Sequence, residues 1–319
     1  MKIWYSPYTL KALSTLNSRS AAADRKGALL KIEFSEGLTG YSDLHPHTEL
    51  GDRELSEQLD CLSRDESTVL INRSLHWALI DAHARKKGES LFRGRSLPKT
   101  HAIATDVIQL EADHLDKLND LGYSFLKVKM GRDLPDETLK ILELSQHLGG
   151  MKLRLDFNES LDQRVFRDWW KQVHPALQAH VDYIEDPFPY SGEKWGESGA
   201  PLALDRSLSL ENLKSFDGSV VIFKPAVSDT HWLNNINHRV VFSTYMDHPL
   251  GEMSAIFAAA QHYNDVGKEQ VGGLRTWHLF DSNEFSESLQ GDGPELRVAE
   301  GTGLGFDEQL KAQNWKPLK

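Results

Sequence analysis

Cysteine is nearly absent from this chain: Cys61 is the single one among 319 residues. An intramolecular disulfide is therefore excluded, and such scarcity is typical of proteins from a reducing compartment, which predicts a cytoplasmic location. The formal net charge is −11 and no basic tract is present, which argues against a nucleic-acid partner. No apolar run approaches the roughly 18 residues that a transmembrane helix needs, so we expect no membrane partner either.

Common catalytic signatures are missing as well. The sequence has no P-loop and no Gly-x-Ser-x-Gly elbow, and the glycines of Gly301-Thr302-Gly303-Leu304-Gly305 do not match the dinucleotide-binding fingerprint. The His45-Pro46-His47 segment lacks the cysteines or further spaced histidines of a zinc site, so we interpret it as a loop over the active site. We expect no organic cofactor.

The length and the rhythm of the chain indicate two domains. Residues 1–96 combine a hairpin-like stretch from Leu29 with a helical pattern from Ser74 to Lys87, which predicts an α+β capping domain. Residues 97–284 alternate short apolar strands with helices, which favours parallel βαβ units in a (β/α)8-type barrel. Residues 285–319 show little periodicity, and we expect them to pack back on the capping domain.

Charged groups close five successive apolar runs of the second domain, roughly 20 to 30 residues apart, the size of a βα unit. Because a (β/α)8 barrel keeps its active site at the carboxyl ends of its strands, these groups are the candidates for chemistry. Helices are expected between the strands, one of them from Arg164 to Gln178. The runs are Phe125 to Lys129, Leu153 to Asp156, Val181 to Glu185, Leu202 to Asp205 and Val220 to Lys224.

Two lysines share one face of the first of these strands. Lys127 and Lys129 are two residues apart, so both side chains point the same way in an extended strand. At roughly 6.6 Å and an effective dielectric of about 20, their charges would repel by about 2.5 kcal/mol. That repulsion and a nearby cation would lower the pKa of Lys129 toward the range in which it can accept a proton. An exposed strand with alternating lysines would give the same tripeptide.

Three acids end the next strands, and inside a barrel their carboxylates could converge. Asp156, Glu185 and Asp205 offer hard oxygen ligands, which suit Mg²⁺ or Mn²⁺ rather than zinc. Each acid alone could be a helix cap or a loop charge. Lys224 ends the following strand, and in a barrel it would lie across the site from Lys129, which offers one amine on each face of a substrate.

Together these residues resemble the enolase superfamily, in the branch with Lys-x-Lys on the second barrel strand and a lysine on the sixth. The resemblance covers much of the chain. It also includes Arg25-Lys26-Gly27, Gly40-Tyr41-Ser42-Asp43, the Leu75 to Asp81 helix, Ser243-Thr244 with Gly251, and Gly272-Gly273-Leu274-Arg275-Thr276.

The resemblance implies a set of roles. Asp156, Glu185 and Asp205 would hold Mg²⁺, with Mn²⁺ as a substitute. Lys129 and Lys224 would be the acid/base lysines, and Lys127 would support Lys129. The candidate substrate contacts are Asn158, Ser243 and Thr244.

Three positions depart from the pattern of the superfamily. Arg206 and Asp247 stand where many members have Glu, and Glu159 stands where related sequences often have a neutral or basic residue. These departures leave the implied metal ligands and lysines intact. They put the specificity contacts in doubt.

Within the superfamily the compact chain and short capping domain look most like the o-succinylbenzoate synthases. This implies Mg²⁺-dependent removal of water from 2-succinyl-6-hydroxy-2,4-cyclohexadiene-1-carboxylate, a small carboxylate substrate, through proton abstraction α to the carboxylate and an enediolate. The same lysines could serve an N-acylamino acid racemase, a dipeptide epimerase or a muconate-type cycloisomerase. Dipeptide epimerases often carry an Asp-x-Asp pair on the eighth strand, and Gly272 to Trp277 has no acid. A non-catalytic metal-binding barrel is the remaining alternative.

Overall fold

The computed structural model describes residues 1–16 and 24–319 and contains two sheets. One sheet has four strands and belongs mainly to the first hundred residues, and the other has seven parallel strands. Among the described residues, no helix is both long and apolar enough to cross a bilayer. This is the predicted arrangement of an α+β capping domain with a (β/α)8-type barrel.

The capping sheet begins with an antiparallel meander that contains the predicted hairpin. The main helix of the capping domain is longer than predicted, because it begins at Val69, five residues before the predicted start at Ser74. The hydroxyl of Thr68 accepts a hydrogen bond from the Ile71 amide at 3.2 Å and so caps the helix at that point. The elements are β1 (Lys2–Leu10), β2 (Arg25–Glu33), β3 (Thr39–Leu44), α1 (Leu55–Ser63) and α2 (Val69–Lys86).

The barrel strands follow one another in space in the order of the chain, each parallel to its neighbour. The eighth place is taken by a short segment in which Gly272 bridges to Thr100 on one side and Gly273 bridges to Ser243 on the other. The seven strands and this segment therefore close the barrel. The strands are β4 (Ala102–Ala104), β5 (Phe125–Lys129), β6 (Lys152–Asp156), β7 (Val181–Glu185), β8 (Leu202–Leu204), β9 (Val220–Phe223) and β10 (Arg239–Phe242).

Helices cover the outside of the barrel. The single helix predicted from Arg164 to Gln178 was wrong: it is two helices, because Val173 leaves the helical conformation just ahead of Pro175, whose ring cannot continue a helix. The helices are α3 (Ala112–Asp120), α4 (Leu134–Leu144), α5 (Gln163–Gln172), α6 (Pro175–His180), α7 (Glu193–Gly196), α8 (Leu210–Ser215) and α9 (Pro249–Val266).

The last part of the chain contains α10 (Glu284–Glu287), α11 (Asp307–Ala312) and β11 (Lys316–Pro317). β11 pairs antiparallel with β1 and thereby becomes the edge of the capping sheet. The buried carboxylate of Asp81 in α2 accepts hydrogen bonds from the amides of Tyr41 and Leu304, at 2.8 and 2.7 Å. The domain limits at 96/97 and 284/285 stay predictions.

Candidate active site

Three acidic side chains lie side by side at the carboxyl ends of neighbouring barrel strands. Asp156 ends β6 and Glu185 ends β7, and the two are direct partners in the parallel ladder. Glu185 is also opposite Ala203 of β8, so Asp205 follows two residues beyond that partner. All three are buried. The structure thus places the three predicted acids at the carboxyl ends of three consecutive strands.

Two of the three predicted lysines come from β5, the strand beside Asp156. The Lys127 ammonium nitrogen lies 2.8 and 2.7 Å from the two carboxylate oxygens of Glu185 and 2.9 Å from Oδ2 of Asp156. The Lys129 nitrogen lies 3.2 Å from the same Asp156 oxygen and 3.3 Å from Oδ1 of Asn158. One carboxylate therefore contacts both ammonium groups.

The third lysine, Lys224, follows β9 and forms an ion pair with Asp205. Burial would lower its pKa, but the charges of Asp205 and Glu185 outweigh burial and raise it above the usual value. For the same reasons the pKa of Lys127 lies well above its usual range, since Asp156 and Glu185 both contact it. Both side chains therefore stay protonated at neutral pH.

Lys129 has the opposite electrostatic balance. Burial is the largest cause of the lowering of its pKa; Asp156 opposes that effect, and the positive charge of Lys127 adds to it. The sequence predicted the direction of this shift from charge repulsion and a nearby cation, and it did not include burial. Of the three lysines, Lys129 is the one whose surroundings favour the neutral amine, which is the form that can accept a proton.

The pKa values of two of the acids are shifted in opposite directions. Burial and then the charge of Asp156 raise the pKa of Glu185 to about 8, in spite of the bound Lys127. The pKa of Asp156 is lowered, because Lys127 and Lys129 outweigh the effect of burial. A carboxylate whose neighbours disfavour its charge gains from an additional cation.

The carboxylate oxygens of the same acids are suitable ligands for a hard divalent cation. Oδ2 of Asp156 is completely buried and accepts no well-aligned hydrogen bond, although two ammonium nitrogens lie beside it. As the side chains stand, no three acidic, histidine or cysteine groups within residues 1–16 and 24–319 lie close enough together to share one ion. The ammonium groups of Lys127 and Lys224 contact the carboxylates directly. Carboxylate oxygens are the ligands that Mg²⁺ prefers.

One residue that supports this cluster was not assigned a role from the sequence. Asp186 is buried and accepts hydrogen bonds from the amides of Asp205 and Arg206, at 3.1 and 2.8 Å. Its φ of 42° is in the left-handed region, which non-glycine residues rarely adopt. Asp186 therefore orients the loop that carries Asp205. The preceding Glu185 and the following Pro187 gave the only sequence signal.

The predicted substrate contacts line one cavity with the lysines. Asn158, Ser243 and Thr244 all face it, and the hydroxyl of Thr244 lies 2.9 Å from that of Thr276. The capping domain contributes Arg25, His47 and Glu49 to the same cavity, and the barrel also contributes His101 and Arg275. Arg25, His47 and Arg275 lie in segments that the sequence singled out, and His47 belongs to the predicted loop over the site, whereas the sequence did not point to Glu49 or His101. No motif distinguished His101 among the histidines of the chain.

Two of the three departures from the superfamily pattern compensate for each other. The guanidinium of Arg206 forms an ion pair with Glu159, with Nε 3.2 Å from Oε2. Both side chains are largely shielded, with exposed fractions of 19% and 14%. Asp247 lies elsewhere, close to Asp43 of the capping domain. Both carboxylates face Gly251: a Cβ on that residue would lie 2.5 Å from Oδ2 of Asp247 and 2.7 Å from Oδ2 of Asp43. Asp247 therefore lies where the barrel packs against the capping domain.

Known proteins have sequences similar to that of this chain. Residues 3–84 match the family described as the N-terminal domain of O-succinylbenzoate synthase. The o-succinylbenzoate synthase of Bdellovibrio bacteriovorus is 36% identical over 331 aligned positions, which cover 100% of this chain and 99% of that protein. The chain belongs to the o-succinylbenzoate synthase family. Family membership confirms the resemblance drawn from the five strand-end motifs.

Solved structures with low sequence identity share the fold. The N-succinyl Arg/Lys racemase of Bacillus cereus has a TM-score of 0.79 at 16% identity, covering 100% of this chain and 99% of the other. A dipeptide epimerase of Enterococcus faecalis, solved with Mg and the dipeptide L-Leu-L-Tyr, has a TM-score of 0.78 at 16% identity, covering 95% and 98%. At such identity these likenesses show a shared fold and nothing of this chain's substrate.

Proposed function

We propose that this member of the family catalyses the o-succinylbenzoate synthase reaction. The substrate 2-succinyl-6-hydroxy-2,4-cyclohexadiene-1-carboxylate loses one water and becomes the aromatic o-succinylbenzoate. The observation that carries the proposal is full-length identity of 36% to a synthase, joined to a cluster of lysines and acids at the strand ends. A cytoplasmic location stays a prediction from the sequence.

Asp156, Glu185 and Asp205 are the proposed ligands of a divalent cation, Mg²⁺ with Mn²⁺ as a substitute. Three oxygen-donor groups on adjacent strands support this assignment, and burial together with the charge of Asp156 raises the pKa of one of them, Glu185, to about 8. The Mg in the related dipeptide epimerase supports it as well. When bound, the cation would supply electrostatic stabilisation of the negative charge that develops on the substrate carboxylate.

Lys129 is the proposed general base and acid. Its neutral amine takes the proton from the carbon α to the ring carboxylate, and the electron pair of that C–H bond moves toward the carboxylate. The same ammonium then donates the proton to the hydroxyl as the C–O bond breaks, so that water leaves and the ring becomes aromatic. The lowered pKa of Lys129 favours the first step.

The other two lysines have electrostatic roles in this proposal. Lys224 stays protonated beside Asp205 and stabilises the anion from across the site. Lys127 stays protonated between Asp156 and Glu185, orients those carboxylates, and adds to the lowering of the pKa of Lys129. Asn158 accepts a hydrogen bond from Lys129 and so fixes the position of the amine.

Turnover of the cyclohexadiene substrate, followed as formation of the aromatic product, tests the proposal. Wild-type enzyme with Mg²⁺ is compared with chelated enzyme, with Lys129→Ala and with Lys87→Ala, a variant of an exposed lysine. General-base catalysis contributes about 10² to 10⁴-fold, so Lys129→Ala should lose at least that factor while Lys87→Ala loses none.

Two outcomes would contradict the proposal. A wild-type enzyme that leaves this substrate untouched but exchanges the α-proton of N-acylamino acids or dipeptides in D₂O would be a racemase or an epimerase. Full activity of Lys129→Ala, with unchanged Mg²⁺ binding, would exclude Lys129 as the base. No observation of the site favours either alternative chemistry over water removal.

A further inference from the structure

His101 lines the same cavity as Lys127 and Lys129, and the mechanism above gives it no role. It directly precedes β4, and only 7% of its surface is exposed. A buried histidine at the edge of a catalytic cavity can donate or accept a hydrogen bond, depending on which ring nitrogen carries the proton. The contacts of the ring determine that choice.

The protonation of the ring is set by Arg154. Nδ1 of His101 lies 2.9 Å from Nη1 of Arg154. A guanidinium group can only donate hydrogen bonds, so Nδ1 must accept, and the ring proton is on Nε2. Burial, followed by the charges of Arg154 and Lys127, also holds the pKa of His101 well below its usual value. The imidazole is therefore a neutral donor through Nε2.

Arg154 is itself immobilised inside the barrel, with no exposed surface. Its Nε lies 3.0 Å from Oδ2 of Asp182, and its Nη1 donates to the Val271 carbonyl at 2.7 Å. The guanidinium carbon is 4.0 Å from the ring centre of Phe125, which packs against its face. These contacts hold the imidazole of His101 in one orientation.

Nε2 points toward the segment that closes the barrel. A Cβ on Gly273 would lie 2.9 Å from Nε2 of His101 and 2.9 Å from Oγ of Ser243, so the missing side chain leaves both polar atoms uncovered. In the part of the chain that the structure describes, no group accepts a hydrogen bond from Nε2. The donor is directed at the cavity.

This donor and the two residues beside it belong to other barrel strands than the proposed metal ligands. His101, Gly273 and Ser243 belong to consecutive positions around β4, the closing segment and β10, whereas the acids follow β6, β7 and β8. If the ring carboxylate lies at the acids, the rest of the substrate extends toward His101. The arginines of the cavity already have partners: Arg25 pairs with Glu49, Arg206 pairs with Glu159, and Arg275 donates to the Gly293 carbonyl at 2.8 Å.

We propose that His101 binds the succinyl arm of the substrate through a hydrogen bond from Nε2, and that Arg154 is the residue that positions it. The proposal rests on the proposed function, because the arm belongs to that substrate. Both oxygen-bearing groups of the arm, its ketone and its terminal carboxylate, are acceptors that a neutral donor can bind.

Equilibrium binding of the product o-succinylbenzoate, in the presence of Mg²⁺, tests the contact. His101→Phe keeps an aromatic ring and removes the donor, and it should weaken binding by about 10- to 100-fold, the range for a hydrogen bond to a charged group. His101→Gln retains a neutral N–H donor and should recover part of that loss. In turnover, KM should rise more than kcat falls.

A second ligand identifies the acceptor. In 2-butanoylbenzoate a methyl group replaces the terminal carboxylate. If that carboxylate is the acceptor, wild type and His101→Phe should bind the analogue equally. If the ketone oxygen is the acceptor, the difference between the two proteins persists. Both results support the proposal, whereas an unchanged affinity of His101→Phe for o-succinylbenzoate overturns it.

The positioning role of Arg154 has a spectroscopic test that needs no variant of that buried residue. With ¹⁵N-labelled histidine, the His101 ring, assigned from its loss in His101→Gln, should show the neutral form with the proton on Nε2 from about pH 6 to about pH 8. A proton on Nδ1, or a charged ring, overturns the inference. A wild-type enzyme that neither binds the product nor turns over the substrate would instead refute the proposed function.

Discussion

Replacing Lys127 by Met should reveal how the acid cluster is balanced without a divalent cation. The Lys127 ammonium contacts both carboxylate oxygens of Glu185 and one of Asp156, and all three groups are buried. Removing one partner of a buried ion pair costs about 3 to 5 kcal/mol, because a buried charge is left uncompensated. Met keeps the apolar stem of the side chain, so the change isolates the charge.

The expected change in melting temperature follows from the size of the protein. At about 2.1 cal/mol/K per residue, the entropy of unfolding of 319 residues is about 0.7 kcal/mol/K. A loss of about 3 to 5 kcal/mol then lowers the melting temperature by about 4 to 8 °C in the presence of chelator. The loss of stability should be larger at about pH 9 than at about pH 7. The pKa of Glu185 is already about 8 and rises further without Lys127, so at the lower pH protonation of Glu185 removes one of the buried negative charges.

The assay is thermal unfolding of wild type, Lys127→Met and the exposed-residue control Lys87→Met, each with chelator and with saturating Mg²⁺. Mg²⁺ should raise the melting temperature of Lys127→Met by more than it raises that of wild type, because the cation replaces the missing positive charge. The reasoning would be refuted if Lys127→Met melted like the control in chelator, or if Mg²⁺ stabilised it no more than wild type.

Three further predictions concern residues around the cavity. Burial raises the pKa of Glu252 to about 8, so its contribution to stability is present below about pH 4.5 and is lost as the pH rises to about 8. In urea unfolding, Glu252→Gln should reduce the slope of unfolding free energy against pH by up to about 1.4 kcal/mol per pH unit in this window. An unchanged slope would contradict the shift. Gly273→Ala should raise KM by about tenfold or more with a smaller change in kcat, because the new Cβ would lie 2.9 Å from His101 Nε2 and from Ser243 Oγ. Wild-type kinetics would show that the substrate does not use the space beside Gly273. A double-mutant cycle on Arg206→Met and Glu159→Gln should give a coupling of about 1 kcal/mol in unfolding free energy, and strictly additive losses would show that the pair does not interact.

Most of the barrel could be predicted because local patterns determine it. β5 and β7 have the predicted limits, since each is a short β-rich run closed by a charged residue. The helix boundaries were less accessible. The start of α2 depends on the Thr68 cap, and the division at Pro175 was missed because the apolar pattern continues across it. The closing segment at Gly272 and Gly273 is too short for a strand pattern and is recognised only by its bridges.

The candidate site divides in the same way. The acids and lysines lie within strands or directly after them, so the topology alone places them on one side of the barrel. His101 and Asp186 escaped sequence reasoning because their roles depend on contacts distant in the chain. Arg154 is 53 residues from His101, and the amides that Asp186 binds are 19 and 20 residues away. Nothing in the local pattern around a histidine indicates which ring nitrogen an arginine will contact.

The pairing of β11 with β1 has a consequence for synthesis of the protein on the ribosome. Domains generally fold from the N-terminus as the chain emerges, but the capping sheet ends with Lys316–Pro317, which emerge after the whole barrel. Until then β1 is an uncovered sheet edge, a place where another nascent chain can pair. The capping domain is thus begun first and finished last, and the barrel is translated while its cover is still incomplete.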